Sequence, residues 1–276
     1  MKKVVGIVSI LFIAAFLPAV SAAEKPAIAI IDTAIDTTQV KVFYEVCLLE
    51  ENRCPNTPKK KSYLEGLGAA HMPAVNGFEH GTQMVKVAQK VNPDMNIIFI
   101  RIYSDNVNGT IRNGAQTVNS TVRQALEWVA NNKTKFNIVA VSTSLGETNF
   151  KTKGAYCPVD AKMRNTIIKL TSLGVAPIFA AGNNGFADKV HYPACMTESV
   201  TIGSASLNMI TSHSNKSPEV DFYALHNFGY PLDNMLTSGA TAGFAAYWAK
   251  NYKGDFNSTY TYLKSLVTNG MINTLS

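Results

Sequence analysis

Charge is scarce in this chain. Of its 276 residues 16% are charged, while 46% are hydrophobic. That balance excludes global disorder and suits a compact core. The formal net charge is only +6, and Lys2 and Lys3 fall in a segment expected to be removed. No basic helix or aromatic–basic interleaving is present, so nucleic acid is not an expected partner. The "KKK" at 59–61 reads as a solvated loop. C-x-x-C and paired-histidine spacings are missing too, which argues against a zinc site; no metal or cofactor is expected. There is no internal repeat and no long low-complexity linker. Beyond residue 23 no apolar run is long enough to span a membrane.

What the chain does have begins at its start. "MKKVVGIVSILFIAAFLPAVSAA" runs from two lysines through an apolar stretch to small residues after Pro18, the layout of a secretory signal peptide with cleavage expected after Ala22 or Ala23. An uncleaved anchor is the rival reading; the apolar run is short and interrupted by Pro18. Residues 1–23 are therefore read as a signal peptide and 24–276 as one domain. The expected product is secreted or periplasmic and monomeric, with no stable membrane insertion. Cys47, Cys54, Cys157 and Cys195 remain in it. An even count in an oxidising compartment points to disulfides, and four cysteines allow three pairings. Cys47 and Cys54 flank "LLEENR" as a short clip, which leaves Cys157 for Cys195.

Apolar runs alternate with helical patterns. "AIAII" at 27–31, "NIIFIRIY" at 96–103, "NIVAVSTS" at 137–144, "VAPIFAA" at 175–181 and "SVTIGSA" at 199–205 read as buried strands. "GTQMVKVAQKV", "TVRQALEWVANN" and "DAKMRNTIIKLTSLG" read as helices between them. "LTSGATAGFAAYWAK" is a helix apolar on every side, and a last helix lies near "TYTYLKSLVTN". Alternating strands and helices with wholly apolar strands predict an α/β fold, a mostly parallel sheet with helices on both faces. Functional groups of such sheets gather beyond the carboxyl ends of the strands.

Four residues stand at those junctions. Asp32 ends the first strand, His80 opens a helix, Asn183 follows "FAAG", and Ser238 lies in the first turn of the apolar helix. Asp, His and Ser are the parts of an activated nucleophile: the imidazole takes the hydroxyl proton, and the carboxylate fixes the tautomer and stabilises the imidazolium. Asn183 and the Ser238 N–H would be oxyanion donors. Each has an ordinary reading as well. Ser238 could be only an N-cap, Asp32 a turn residue with Asp36 as its competitor, and Asn183 or Asn184 a turn asparagine. His71, His191, His213 and His226 read as surface or loop histidines.

"AIAIIDTAID", "HGTQM", "SLG", "AAGNNG" and "LTSGATA", in this order, resemble the motif blocks of the subtilisin-like serine peptidases, over nearly the whole chain after the leader. The order Asp, His, Ser is one of the known triad orders. The resemblance implies a three-layer subtilisin-like fold and a serine endopeptidase acting on polypeptides through an acyl-enzyme. It assigns Asp32 as orienting acid, His80 as base, Ser238 as nucleophile and Asn183 as oxyanion donor. It gives Ser144, Leu145 and Gly146 to a segment that pairs with the substrate backbone, and Asn108 and Gly109 to the facing rim. It also supports the Cys157–Cys195 pair, which part of the family shares.

Departures are informative. Ala34 stands where Gly usually follows Asp and a hydroxyl residue. Leu236 stands where Gly usually precedes Thr-Ser, reshaping the cleft. Ala242 replaces a usual Pro, and Lys86 a small residue. Lys41 falls about where family members carry a calcium-binding Asp, so that calcium site is not expected. The few residues between leader and first strand leave no room for the propeptide many secreted members carry. The alternative function is a catalytically weak relative that binds peptides. A different serine hydrolase is disfavoured, since no G-x-S-x-G surrounds Ser238.

Overall fold

In the computed structural model the described residues are 25–49, 54, 62–71, 78–103, 115–146, 157, 160–206, 209–228 and 235–275, with the side chains of 115–119 excepted. The expected signal peptide lies outside them. The elements in chain order are β1 (Ala27–Asp32), β2 (Tyr44–Leu48), β3 (Tyr63–Glu65), α1 (Glu79–Val91), β4 (Asn96–Arg101), α2 (Ala115–Phe136), β5 (Ile138–Thr143), α3 (Ala161–Ser172), β6 (Ala176–Ala180), β7 (Val200–Ala205), β8 (Phe222–Leu225), α4 (Leu236–Lys250), α5 (Phe256–Ser265) and β9 (Met271–Ile272).

The strands form one sheet in the order β3-β2-β4-β1-β5-β6-β7-β8-β9. β3 runs antiparallel to β2, and every other pairing is parallel. The five expected strands are there, and β1, β5, β6 and β7 are buried at every residue. That is the apolar continuity a sheet covered on both faces requires. β2, β3, β8 and β9 were not read from the sequence.

Side chains of β1 alternate between two cores, as a strand must. Ile28 and Ile30 join a cluster with Met84, Val85 and Ala88 of α1 and Ala240, Phe244 and Trp248 of α4. Ala27, Ala29 and Ile31 join another with Val122, Leu126 and Val129 of α2 and Met163 and Ile167 of α3. The architecture is therefore three layers, α1 and α4 on one face and α2 and α3 on the other. By the same alternation Asp32 falls on the α1–α4 face.

α4 is buried from Thr237 through Ala249, which is why its sequence is apolar all round. α3 is capped by Asp160, whose Oδ1 accepts from the Met163 N–H at 3.0 Å, and α5 by Asp255 in the same way at 2.9 Å. α4 has no such cap: its N-cap is Met235, with no side-chain bond. Ser238 lies inside the first turn, so the capping reading of Ser238 does not hold. Both cysteine pairs are disulfides, Cys47–Cys54 with Cα atoms 5.9 Å apart and Cys157–Cys195 at 5.7 Å. Among the described residues no helix is long and apolar enough to cross a membrane.

Candidate active site

β1 delivers Asp32 to the end of a central strand, fully buried. Its Oδ1 accepts from the Thr33 N–H at 2.7 Å. The His80 ring meets the same carboxylate, Nδ1 lying 2.8 Å from Oδ1 and 3.0 Å from Oδ2. A carboxylate only accepts, so Nδ1 carries the proton and Nε2 is left as the free lone pair. His80 is the second residue of α1, and Thr33 ties that helix start to the end of β1. The Thr33 hydroxyl donates to Phe78 O at 3.0 Å and accepts from the Gly81 N–H at 3.1 Å.

The electrostatics of His80 are a contest. Burial pulls its pKa down, but the Asp32 charge and hydrogen bond outweigh burial and leave it above the usual histidine value. The ring is still 33% exposed while Asp32 is 0% exposed, so the pair has one dry end and one open end. Tyr103 senses the same charge: burial, then Asp32, raise its hydroxyl above the ordinary tyrosine range.

Ser238 is buried at 7% exposure in the first turn of α4, where the helix dipole favours negative charge. Its backbone carbonyl accepts from the Ser144 hydroxyl at 3.4 Å. The residue before it holds Asn183. The Thr237 N–H donates to Asn183 Oδ1 at 3.1 Å and the Thr237 hydroxyl at 2.6 Å. Because a backbone N–H can pair only with an acceptor, these bonds fix which end of the amide is oxygen and turn Nδ2, a donor, the other way. Asn183 is exposed, in a turn after β6.

Leu236 has φ +40°, a left-handed backbone that a side-chain-bearing residue adopts at a cost of order 1 kcal/mol. The backbone at this position has a conformation natural to Gly. Ser144, Leu145 and Gly146 follow β5; the first two are half-buried and Gly146 is exposed. Asn108 and Gly109 lie outside the described residues.

The competing residues are elsewhere engaged. Asp36 binds the Thr38 N–H and hydroxyl and the Gln39 amide on the surface. His71 meets Thr37 at 3.2 Å, His213 meets Ser204 and Thr211, and His226 Nδ1 meets Ala205 O at 2.9 Å. His191 lies in a loop, as expected, and is half-buried with Nε2 2.6 Å from Asn184 Oδ1. Sequence reasoning missed the role of Thr237 because its partner, Asn183, is 54 residues away in the chain. Among the described residues no cluster of three or more His, Cys, Asp or Glu could hold a metal ion.

A family model described as the subtilase family matches residues 23–275. Subtilisin-like protease 2 of Trichophyton tonsurans is 27% identical over 197 residues, 71% of this chain and 40% of that protein, so the chain spans well under half of the curated relative it matches. Two solved structures share the fold. A lanthipeptide protease aligns with TM-score 0.60 at 17% identity, over 90% of this chain and 81% of its own. A cold adapted subtilisin-like serine proteinase aligns with TM-score 0.59 at 22% identity, over 90% and 86%.

Proposed function

Because the chain belongs to the subtilase family, we propose that it is a secreted serine endopeptidase, one domain from residue 24 onward, in which Ser238 attacks the carbonyl carbon of a peptide bond. His80 Nε2 takes the hydroxyl proton as the bond forms. Asp32 holds the ring in the Nδ1–H tautomer and stabilises the imidazolium. The carbonyl oxygen becomes an oxyanion, held by Asn183 Nδ2 and the Ser238 N–H. His80 then passes its proton to the departing amine. Water, activated by the same ring, hydrolyses the acyl-enzyme and restores Ser238. Ser144, Leu145 and Gly146 line the extended substrate.

The observation that carries this reading is the His80–Asp32 contact at 2.8 Å, which leaves Nε2 as the basic face. The Thr237 bonds to Asn183 Oδ1 support the oxyanion role, since they orient Nδ2 from the residue next to the nucleophile. Secretion is supported by the signal-like leader and by two disulfides, which persist in oxidising compartments.

The test is covalent. The mature chain is expected to label with a fluorophosphonate and to cleave an unfolded protein. Ser238→Ala is expected to abolish labelling and lower kcat on the order of a million-fold. A folded wild type that neither labels nor cleaves a broad peptide library would sink the endopeptidase reading in favour of peptide binding alone.

A further inference from the structure

Asn183 is exposed, in a turn that has Gly182 before it and Gly185 shortly after, both at positive φ (+101° and +66°). Glycine leaves a backbone free to move, and a loose turn would aim an oxyanion donor poorly. Thr237 fixes the far end of the Asn183 side chain, the amide. The near end, the Cα, is held by Asn215, a wholly buried residue of the segment between β7 and β8.

Asn215 makes four hydrogen bonds to that turn. Its backbone N–H donates to Gly182 O at 2.9 Å, and its Nδ2 donates to Ala181 O at 3.0 Å. Its Oδ1 accepts from the N–H groups of Asn184 at 3.0 Å and Phe186 at 3.1 Å. Gly182 O belongs to the peptide group before the Asn183 Cα, and the Asn184 N–H to the peptide group after it. A peptide group is planar, so holding one on each side of a Cα leaves the two dihedrals between them little freedom. The direction of the Asn183 Cα–Cβ bond is thereby set. Asn215 is itself anchored to the sheet through its neighbour. Ser214 Oγ accepts from the Ser204 N–H of β7 at 3.0 Å and donates to Asn215 O at 3.1 Å. Backbone pairs on either side continue the seam, Gly185 N–H to His213 O at 2.9 Å and Lys216 N–H to Phe186 O at 2.8 Å.

On the peptidase reading, on which this inference rests, an oxyanion donor works because it is in place before the charge develops. We propose that Asn215 is a positioning residue for this reaction: it holds the turn so that Asn183 Nδ2 meets the oxyanion without rearranging. It acts through Asn183 and not on the substrate, since it is 0% exposed and its amide is engaged with the turn. A purely structural asparagine, once replaced, would lower stability and leave the rate of each folded molecule unchanged. A positioning one lowers kcat in the folded enzyme, and only while Asn183 is there to be positioned.

The test is a double-mutant cycle on the full mature chain with a peptide substrate. It compares the wild type, Asn215→Ala, Asn183→Ala and the double variant, each checked for folding by circular dichroism. Asn215→Ala is expected to lower kcat by about ten- to a hundredfold with KM little changed, the cost of misplacing a group by up to about 1 Å. In the Asn183→Ala background the same change is expected to cost nothing further, so the two losses do not multiply. Asn215→Ser, smaller but able to keep one of the bonds, is expected to fall between the wild type and Asn215→Ala. A folded Asn215→Ala protein with wild-type kcat overturns the proposal, and so do losses that multiply in full. If Asn215→Ala does not fold, Asn215→Ser carries the same cycle. If neither folds, the residue serves the fold alone and the proposal falls. A folded wild type with no peptidase activity overturns the peptidase reading, and the positioning role with it.

Discussion

His80 and His191 are both partly exposed rings, each held by one nitrogen, and they end in opposite states. Burial pushes both toward the neutral form. His80 faces the Asp32 carboxylate at 2.8 Å and finishes above the usual histidine value. His191 faces the Asn184 amide at 2.6 Å, and burial alone leaves it below. The held atom differs as well: Nδ1 in His80, which frees Nε2, and Nε2 in His191, which frees Nδ1. Charge on the partner, rather than depth, separates a ring built to accept and keep a proton from one built to stay neutral.

The strongest way to break this contrast is to give His80 the kind of partner His191 has. Asp32→Asn keeps the shape but removes the charge and allows the wrong tautomer. A loss in kcat of about 10⁴-fold is expected. The pH profile must move too. General-base catalysis needs a neutral ring, so wild-type kcat/KM should rise with pH along a limb above the ordinary value of 6.5. In the variant that limb should slide to lower pH. The stability sign runs the other way. The folded-state value is raised, so the pair's contribution is full below the unfolded-state value and is lost as pH rises through the folded one. An unmoved limb in Asp32→Asn would show that Asp32 is not what raises His80.

A smaller effect separates the two neighbouring amides. Asn183 takes both Thr237 donors through Oδ1, and Asn184 takes the His191 ring. Asn183→Ala should cost about a hundred- to a thousand-fold in kcat with KM little changed, the usual loss for one oxyanion donor. Thr237→Val, which leaves the amide but removes its hydroxyl partner, should cost roughly five- to tenfold. Equal losses in the two variants would mean that Thr237 does more than orient Asn183.

Why one histidine was legible in the sequence and the other was not follows from where their partners lie. Asp32 ends an apolar strand and His80 opens a helix, and strand-end and helix-start positions can be read from periodicity. The central strands and the all-apolar α4 were readable for the same reason. β2 was not, because Glu45 interrupts its apolar run; that buried carboxylate accepts from the Ala70 N–H at 2.9 Å, a contact 25 residues away. β8 and β9 are four and two residues long, too short for a periodic signal. Leu236 was visible as a missing Gly, but only the backbone reveals that Leu is held at φ +40°. His191 had no local signal at all. Its packing depends on Gly146, Gly182 and Asn184 converging, and only the sheet brings Gly146 to the other two.

The smallest change runs in the opposite direction, giving His191 the kind of partner His80 has. Asn184→Asp replaces an amide by a carboxylate at the same ring nitrogen. An opposite charge at that distance favours the imidazolium and works against the downward push of burial. The wild-type ring, held low, lowers stability as pH falls through the unfolded-state value, because the unfolded chain binds a proton there that the folded one resists. In the variant that penalty should vanish or reverse, with the gain present below the unfolded-state value and lost as pH rises through the new folded one. Carbon-detected NMR titration of the ring reads the shift directly. A midpoint in Asn184→Asp no higher than in the wild type would mean that Asn184 does not govern His191, and that the contrast with His80 rests on something other than the partner's charge.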